Sequence, residues 1–186
     1  CCMRFAYLGG TGVQVSRISL GTAFFGGVID ESESRKIVYR ALDLGINVID
    51  TAEMYLMPSP GASETALGRI LSDNRDEIFL ATKVNPGNER SDHPANRGLS
   101  NRVIVRAIEG SLRRLRTDYV DLLYAHAPDP TTPIDETLSA FDSLISTGKV
   151  RYAGLSNFTP PQIVEALWRA DHLGIRPIVA TQDLYN

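Results

Sequence analysis

The chain has 186 residues, of which 43% are hydrophobic and 22% charged, enough apolar material for one globular core. The net charge of −3 lacks the basic footprint that favours nucleic acid or an anionic membrane surface. No long apolar run predicts a membrane span, and no signal peptide is recognised at the N-terminus. The adjacent Cys1 and Cys2 cannot build a disulfide framework, so we expect a reducing, cytoplasmic setting.

The N-terminal residues 4–17 predict two short strands around a glycine-rich turn. The spacing after Gly10 and Gly12 does not form a dinucleotide-binding fingerprint, because Val15 stands where a third glycine would be needed. Residues 18–22 then predict a first buried strand.

From there on, helices and strands alternate at intervals of roughly 30 residues, which is typical of parallel βαβ units. The predicted helices begin at capping or proline residues: Ser32, Ser63, Ser100, Thr132-Pro133 and the capping box Thr159-Pro160-Pro161-Gln162. The strands between them end at polar residues: Asp50, Lys83, His126, Ser156 and Gln182. We expect one domain over residues 1–186, either an open doubly wound sheet or a closed (β/α)₈ barrel.

In either architecture, chemistry belongs at the carboxyl ends of the strands, where Asp50, Tyr55, Lys83 and His126 lie. A lysine ammonium favours the phenolate of a nearby tyrosine and makes the phenol a usable acid near neutral pH. The lysine needs a carboxylate partner in a dry pocket, and a histidine could donate to the oxygen being protonated. Each residue alone is more often structural, but together they indicate protonation of a carbonyl oxygen that receives hydride.

Other chemistries have weaker support in the sequence. His93 and His172 are expected to be solvated, and without paired histidines or cysteines we expect no metal site. Asp121 lies inside a strand and is interpreted as a structural hydrogen-bonding group. Ser156 lacks the Gly-x-Ser-x-Gly context of a hydrolase nucleophile. A Schiff-base lyase that uses Lys83 remains an alternative.

The residues of these strand ends resemble the aldo-keto reductase family. The matching segments follow in order through almost the entire chain: 47–55, 63–68, 81–83, 111–115, 117–122, 126–129, 148–158 and 182–186. Residues 128–137 look closest to the aflatoxin-aldehyde-reductase and potassium-channel β-subunit branches.

The resemblance implies a (β/α)₈ barrel whose bottom is plugged by the N-terminal hairpin, and NADPH-dependent reduction of aldehydes or ketones. It implies that Tyr55 is the general acid, that Lys83 tunes it, that Asp50 is the partner of Lys83 and that His126 orients the carbonyl. The residues implied in cofactor binding are Gly21, Thr22, Asp50, Ser156, Asn157 and Gln182, of which the last three would hold the nicotinamide carboxamide.

Two departures from the family pattern stand out. Ala23 occupies a position where many members of the family have an aromatic residue that lines the substrate pocket. Phe24 and Phe25 are the two candidates to take the place of that aromatic residue. The chain also stops after the sixth predicted strand, whereas a (β/α)₈ barrel needs about 250 residues. We therefore expect an incomplete barrel of the hairpin and about six βα units, with exposed strand edges that favour a homo-oligomer. The expected partner is a small carbonyl compound, and the alternative function is a regulatory subunit that holds cofactor without turnover.

Overall fold

The computed structural model describes residues 3–56, 59–87 and 93–184. Its strands are β1 (Phe5–Tyr7), β2 (Gln14–Ser16), β3 (Ser19–Gly21), β4 (Val48–Asp50), β5 (Phe79–Val84), β6 (Val120–Ala125), β7 (Val150–Ser156) and β8 (Ala180–Gln182). Its α-helices are α1 (Glu31–Asp43), α2 (Ala62–Ile70), α3 (Asn101–Leu115), α4 (Ile134–Ser146) and α5 (Pro160–Leu173). Two short 3₁₀ helices lie at Arg75–Glu77 and Pro94–Asn96.

Strands β3 to β8 form one parallel sheet whose spatial order follows the chain. Helices α1 to α5 alternate with these strands, and the sheet curls into part of a barrel. The predicted α/β class and the partial (β/α)₈ barrel are therefore confirmed.

The N-terminal hairpin is the antiparallel pair of β1 and β2, as the sequence predicts. Its apolar residues and the turn beside them pack against the inward-facing side chains of the sheet. This inner cluster is Leu8, Val13 and Val15 with Phe79, Ala81, Leu122 and Tyr124. The hairpin thus packs inside the curled sheet, and the resemblance likewise implies that a hairpin closes the bottom of the barrel.

The larger core lies between the sheet and the helices. Every residue of β5 is buried, as expected for a central strand that is covered on both faces. In α3 the buried Ile104, Ile108, Leu112 and Leu115 recur every three or four residues and face the sheet. The apolar periodicity seen in the sequence is therefore the core-facing stripe of this helix.

Strand β3 differs from the prediction of a buried strand. Its residues are exposed or half-buried, and the preceding Ile18 is 60% exposed. The reason is its position, because β3 is an edge of the six-stranded sheet and pairs only with β4 among the strands. At the other edge, β8 spans three residues, Ala180–Gln182, and ends at Gln182 as predicted.

Two predicted helix caps are wrong. Helix α1 is capped by Asp30, whose carboxylate accepts the N–H of Glu33 at 2.8 Å, and Ser32 lies inside the helix. Helix α2 follows Gly61, which has a φ of 84°, and Ser63 is buried within the helix. Both errors arise because several capping residue types stand close together in the sequence and only one of them can take the extended or left-handed conformation.

The remaining predicted helix starts agree with the structure. Ser100 is the N-cap residue of α3, and Pro133 lies at the N-cap of α4, one position earlier than predicted. The capping box of α5 is confirmed, since the Gln162 side chain accepts the N–H of Thr159 at 2.9 Å. Among the described helices none has the length and apolar content to cross a bilayer.

Helix α2 is fixed to its neighbours through one carboxylate. Glu64 is fully buried and accepts the Thr82 hydroxyl at 2.7 Å and Nε of Arg114 at 2.6 Å. A Cβ on Gly68 would overlap the Arg114 carbonyl, so α2 and α3 approach closely at this glycine. These contacts hold α2 against β5 and α3, beside the strand ends that carry the predicted site.

Candidate active site

Lys83 is the centre of the predicted constellation. It lies in β5 with 1% of its surface exposed, and its ammonium donates three hydrogen bonds. The acceptors are Oδ2 of Asp50 at 2.6 Å, the carbonyl of Thr51 at 2.8 Å and the phenol oxygen of Tyr55 at 2.9 Å. A buried ammonium needs such partners because burial without them is costly.

These three bonds use all the protons of an ammonium. A Schiff-base lyase needs a free amine lone pair directed at its substrate. The geometry of Lys83 therefore favours an electrostatic role over a nucleophilic one.

His126 lies just past β6, and its ring is edge-on to Tyr55 with 6.0 Å between ring centroids. Its backbone N–H donates to the carbonyl of Val84 at 2.9 Å, which extends the sheet pairing by one residue. Burial, together with the charge of Lys83, lowers the pKa of the His126 imidazole to about 4. The ring is thus neutral near pH 7 and carries one N–H donor.

The structure therefore brings together the four residues that the sequence singled out from three separate strand ends. Asp50 and Lys83 form a buried ion pair, the phenol oxygen of Tyr55 accepts a hydrogen bond from the Lys83 ammonium, and the His126 ring lies edge-on to the phenol ring. A phenol, an ammonium and a neutral imidazole in this arrangement can donate a proton to an oxygen and stabilise the charge left behind.

Thr22 holds the end of β3 against the end of β4. Its N–H and hydroxyl both donate to the carbonyl of Asp50, at 3.1 and 2.9 Å. The hydroxyl of Ser63 donates to the Thr22 carbonyl at 2.8 Å and lies 3.0 Å from the hydroxyl of Thr51. Ser63 is thus a supporting residue of the site, and the sequence pattern concealed this role because a serine near a helix start resembles a cap.

The ends of β7 and β8 are tied together by polar groups. The Ser156 hydroxyl donates to the carbonyl of Gln182 at 2.8 Å, and the N–H of Asn157 donates to the same carbonyl at 3.1 Å. The Asn157 amide nitrogen donates to the His126 carbonyl at 2.8 Å. Asn157 has a φ of 61°, a left-handed conformation that asparagine tolerates better than most residues.

Comparison with known proteins decides the family. The sequence profile of the Aldo/keto reductase family matches residues 17–186. The chain belongs to this family. The resemblance stated from the sequence is therefore confirmed.

Curated relatives cover nearly the whole chain. The chain is 40% identical to "Uncharacterized oxidoreductase YrpG" of Bacillus subtilis, over 99% of the chain and 58% of that protein. It is 40% identical to "Aldo-keto reductase YhdN" of the same organism, over 99% of the chain and 54% of that protein. It is 35% identical to "Probable voltage-gated potassium channel subunit beta" of Oryza sativa subsp. japonica, over 99% and 56%. The chain spans about half the length of the curated relatives it matches.

Members of the aldo/keto reductase family generally bind nicotinamide cofactors, and the described contacts leave suitable polar groups unused. Oδ1 of Asp50 is buried and has no hydrogen-bond partner among the described residues. The side-chain oxygen of Asn157 and the amide of Gln182 are likewise left without a described partner. A primary carboxamide carries two donors and one acceptor, and a ribose carries hydroxyls, so this set fits a nicotinamide nucleoside.

The other implied cofactor residues contribute differently. Gly21 is exposed, and a Cβ there would meet nothing within 4 Å, so the space above the end of β3 is open to a ligand. The donors of Thr22 and Ser156 are already occupied by protein carbonyls. These two residues therefore position backbone at the border of the site.

Of the two phenylalanines that could take the place of the aromatic pocket residue absent at Ala23, only one is exposed enough to contact a substrate. Phe25 is 2% exposed and belongs to the core, whereas Phe24 is 60% exposed on the loop after β3. Phe25 is thus the wrong candidate. His93 and His172 are both exposed, as expected from the sequence.

A second buried phenol lies near the site and was not singled out from the sequence. Tyr124 pairs in register with Lys83 and Gly154, so its ring faces the interior of the curled sheet. Burial, reinforced by the carboxylates of Asp50 and Asp183, raises the pKa of Tyr124 above its ordinary value. This phenol therefore stays protonated.

Proposed function

We propose that the protein reduces an aldehyde or ketone to an alcohol with NADPH, and that Tyr55 supplies the proton. The carrying observation is the 2.9 Å hydrogen bond between the Tyr55 phenol and the Lys83 ammonium, beside a neutral His126. Membership of the aldo/keto reductase family supports an oxidoreductase, and the oxidoreductase name of the Bacillus subtilis relative points the same way.

The proposed chemistry uses two donors on one oxygen. The substrate carbonyl would accept hydrogen bonds from the Tyr55 phenol and from the N–H of the His126 imidazole. As the carbonyl carbon gains hydride, its oxygen becomes negative and takes the phenol proton. Lys83 stabilises the resulting phenolate because its charge lies in direct contact, and Asp50 keeps the lysine charged and in place.

When bound, the reduced nicotinamide supplies the hydride. Its carboxamide would contact Asn157 and Gln182, and a ribose hydroxyl would donate to the unpartnered oxygen of Asp50. Gly21, Thr22 and Ser156 would border it. NADPH is the cofactor that the family resemblance implies, and a comparison of the dissociation constants for NADPH and NADH tests this part of the proposal.

The main test is Tyr55→Phe in the full chain. We expect kcat for NADPH oxidation with a small aldehyde to fall by about 100-fold or more, because general acid catalysis typically contributes this much. The dissociation constant for NADPH and the melting temperature should stay near those of the parent. If Tyr55→Phe retains the parent turnover, Tyr55 is not the acid.

A regulatory subunit that holds cofactor without turnover is the second candidate. It is supported by the identity of 35 to 36% to proteins named as probable potassium channel β subunits in Oryza sativa and Arabidopsis thaliana. Tight NADPH binding without turnover across a panel of aldehydes and ketones would select this candidate over the reductase.

We place the reaction in the cytoplasm, with a small carbonyl compound as partner and with neither nucleic acid nor membrane involved. The edge strands β3 and β8 support self-association, because each leaves one side of a strand unpaired in the sheet. Sedimentation velocity at several protein concentrations measures this state directly.

A further inference from the structure

Leu56, the residue after the proposed acid, has a backbone conformation that leucine rarely adopts. Its φ is 70°, where the Cβ of an L-residue crowds the backbone. Arg116 and Asn157 also have positive φ, but Arg116 ends α3, where this conformation is a common cap, and asparagine tolerates it. Leu56 ends no helix. Other contacts must therefore hold it in this conformation.

The contact that holds Leu56 is made by Gly27. A Cβ built on Gly27 would overlap Cδ2 of Leu56 and would lie 2.7 Å from its Cδ1 and 2.8 Å from its Cγ. The leucine side chain thus packs directly against the bare Cα of the glycine. A side chain at position 27 would occupy the volume that Leu56 fills, so the pair depends on glycine here.

Gly27 is itself held in a hydrogen-bonded loop. The N–H groups of Gly26 and Gly27 donate to the carbonyl of Ile29 at 2.9 and 3.3 Å. The loop starts at Thr22, which is bound twice to the carbonyl of Asp50. Gly27 is therefore fixed relative to the carboxyl end of β4.

Two backbone hydrogen bonds of the described residues flank the peptide between Tyr55 and Leu56. The Tyr55 N–H donates to the carbonyl of Ala52 at a long 3.3 Å, and the Ser59 N–H donates to the carbonyl of Leu56 at 2.8 Å. The direction in which the chain leaves Tyr55 is thus set at Leu56.

These contacts close a ring from Asp50 through Thr22 and Gly27 to Leu56 and Tyr55, and back through Lys83. We propose that Leu56, packed on Gly27, is a positioning residue that fixes the phenol of Tyr55 on Lys83. Its effect on turnover rests on the proposed reductase function. Its effect on the position of the phenol does not.

The test begins with Leu56→Gly and Gly27→Ala. Glycine accepts the φ of position 56 without strain but removes the packing, and the new methyl at position 27 displaces the leucine. We expect kcat to fall by about 10- to 100-fold in each, because a misplacement of about 1 Å costs up to this much. KM and the dissociation constant for NADPH should stay near those of the parent.

The double variant Gly27→Ala with Leu56→Gly sharpens the test. If both single changes act through one contact, the double variant is no worse than Leu56→Gly alone. Arg116→Gly is the matched control, since it replaces another non-glycine residue of positive φ, exposed and far along the chain, and should leave kcat unchanged. Independent, multiplying losses in the double variant would overturn the proposal.

A second readout does not need turnover. With 3-fluorotyrosine placed at position 55, the parent should give one fluorine resonance, distinct from that of free fluorotyrosine. In Leu56→Gly this resonance should broaden or move toward the free value, while in Arg116→Gly it should not change. A resonance in Leu56→Gly identical to the parent overturns the positioning role. If the parent itself oxidises no NADPH, the proposed reaction fails, and the fluorine comparison still decides the role of Leu56.

Discussion

Two ion pairs lie at opposite ends of the parallel sheet, the buried pair of Lys83 with Asp50 at the carboxyl ends and the partly buried pair of Arg75 with Asp121 at the amino ends. Their distances are similar, 2.6 and 2.8 Å, and both pairs join neighbouring units of the sheet. They differ in burial and in the groups that each cation contacts.

Arg75 contacts structural groups of the neighbouring strands as well as its carboxylate partner. The guanidinium donates to the hydroxyl of Thr117 and to the carbonyls of Ile78 and Tyr119 as well as to Asp121. The same Asp121 oxygen also accepts a backbone N–H of β5 at 2.9 Å. This agrees with the interpretation of Asp121 as a structural group, made from the sequence alone.

The Lys83 pair is open toward the strand ends. Oδ1 of Asp50 is buried and has no partner among the described residues. One of the hydrogen bonds that the Lys83 ammonium donates goes to the phenol oxygen of Tyr55. The difference teaches that ion pairing alone does not mark a reactive site. A buried, incompletely paired carboxylate beside a second ionisable group is a better indication of a reactive site.

Replacing the cation of each ion pair by methionine should give the largest difference in turnover between the two pairs. Lys83→Met leaves the Asp50 charge buried and unpaired, so we expect a loss of about 3 to 5 kcal/mol in the free energy of unfolding and no measurable turnover. Arg75→Met should cost about 3 kcal/mol, since its pair is also largely buried, yet leave kcat within about 2-fold of the parent. Urea unfolding and NADPH oxidation measure both quantities. A large loss of kcat in folded Arg75→Met would contradict the division of roles.

The pH dependence of the free energy of unfolding tests the burial of His126, which lies beside the Lys83 pair. The pKa of His126 is lowered from 6.5 to about 4 in the folded chain, so between these values the unfolded chain binds more protons at this position. Stability therefore rises with pH through this window and is lost as pH falls through it, by roughly 2 kcal/mol after allowing for partial exposure. His126→Gln should flatten this part of the profile. His172→Gln, which changes an exposed histidine, should leave the slope as in the parent, and an unchanged slope in His126→Gln would contradict the shift.

The smallest expected effect concerns Asn157. Because its φ of 61° suits glycine, Asn157→Gly should change the free energy of unfolding by less than about 1 kcal/mol. It removes the amide oxygen assigned to the carboxamide, and we expect NADPH to bind about 10-fold more weakly, the cost of about one hydrogen bond. Fluorescence titration with NADPH measures this. Unchanged affinity in Asn157→Gly would remove the residue from the proposed cofactor site.

Much of this architecture is readable from the sequence because its signals are local. Residues 78–81, at the start of β5, are all apolar, and the apolar residues of α3 have helical spacing, so the type and position of both elements follow from burial alone. The ionisable residues at the strand ends are readable for the same reason, since parallel strands bring their carboxyl ends together.

The rest depends on which of several competing contacts forms. Asp30 and Ser32 are both good caps, and only the direction of the preceding chain decides between them. The exposure of β3 follows from its place at the sheet edge, which no local pattern encodes. The left-handed conformation of Leu56 goes against residue preference, and the glycine that its side chain packs on, Gly27, lies in another loop.

The order of strands in the sheet has a consequence for how the chain acquires its site. Within the described sheet, each strand from β4 to β8 pairs with the strand synthesised just before it, and such local pairing favours stepwise assembly on the ribosome. Asp50, Tyr55 and Lys83 belong to the first three units and can meet early. His126 arrives one unit later, and the strand ends bearing Asn157 and Gln182 later still. The phenol, the lysine and the carboxylate are thus in place before the two strand ends that carry the amide side chains.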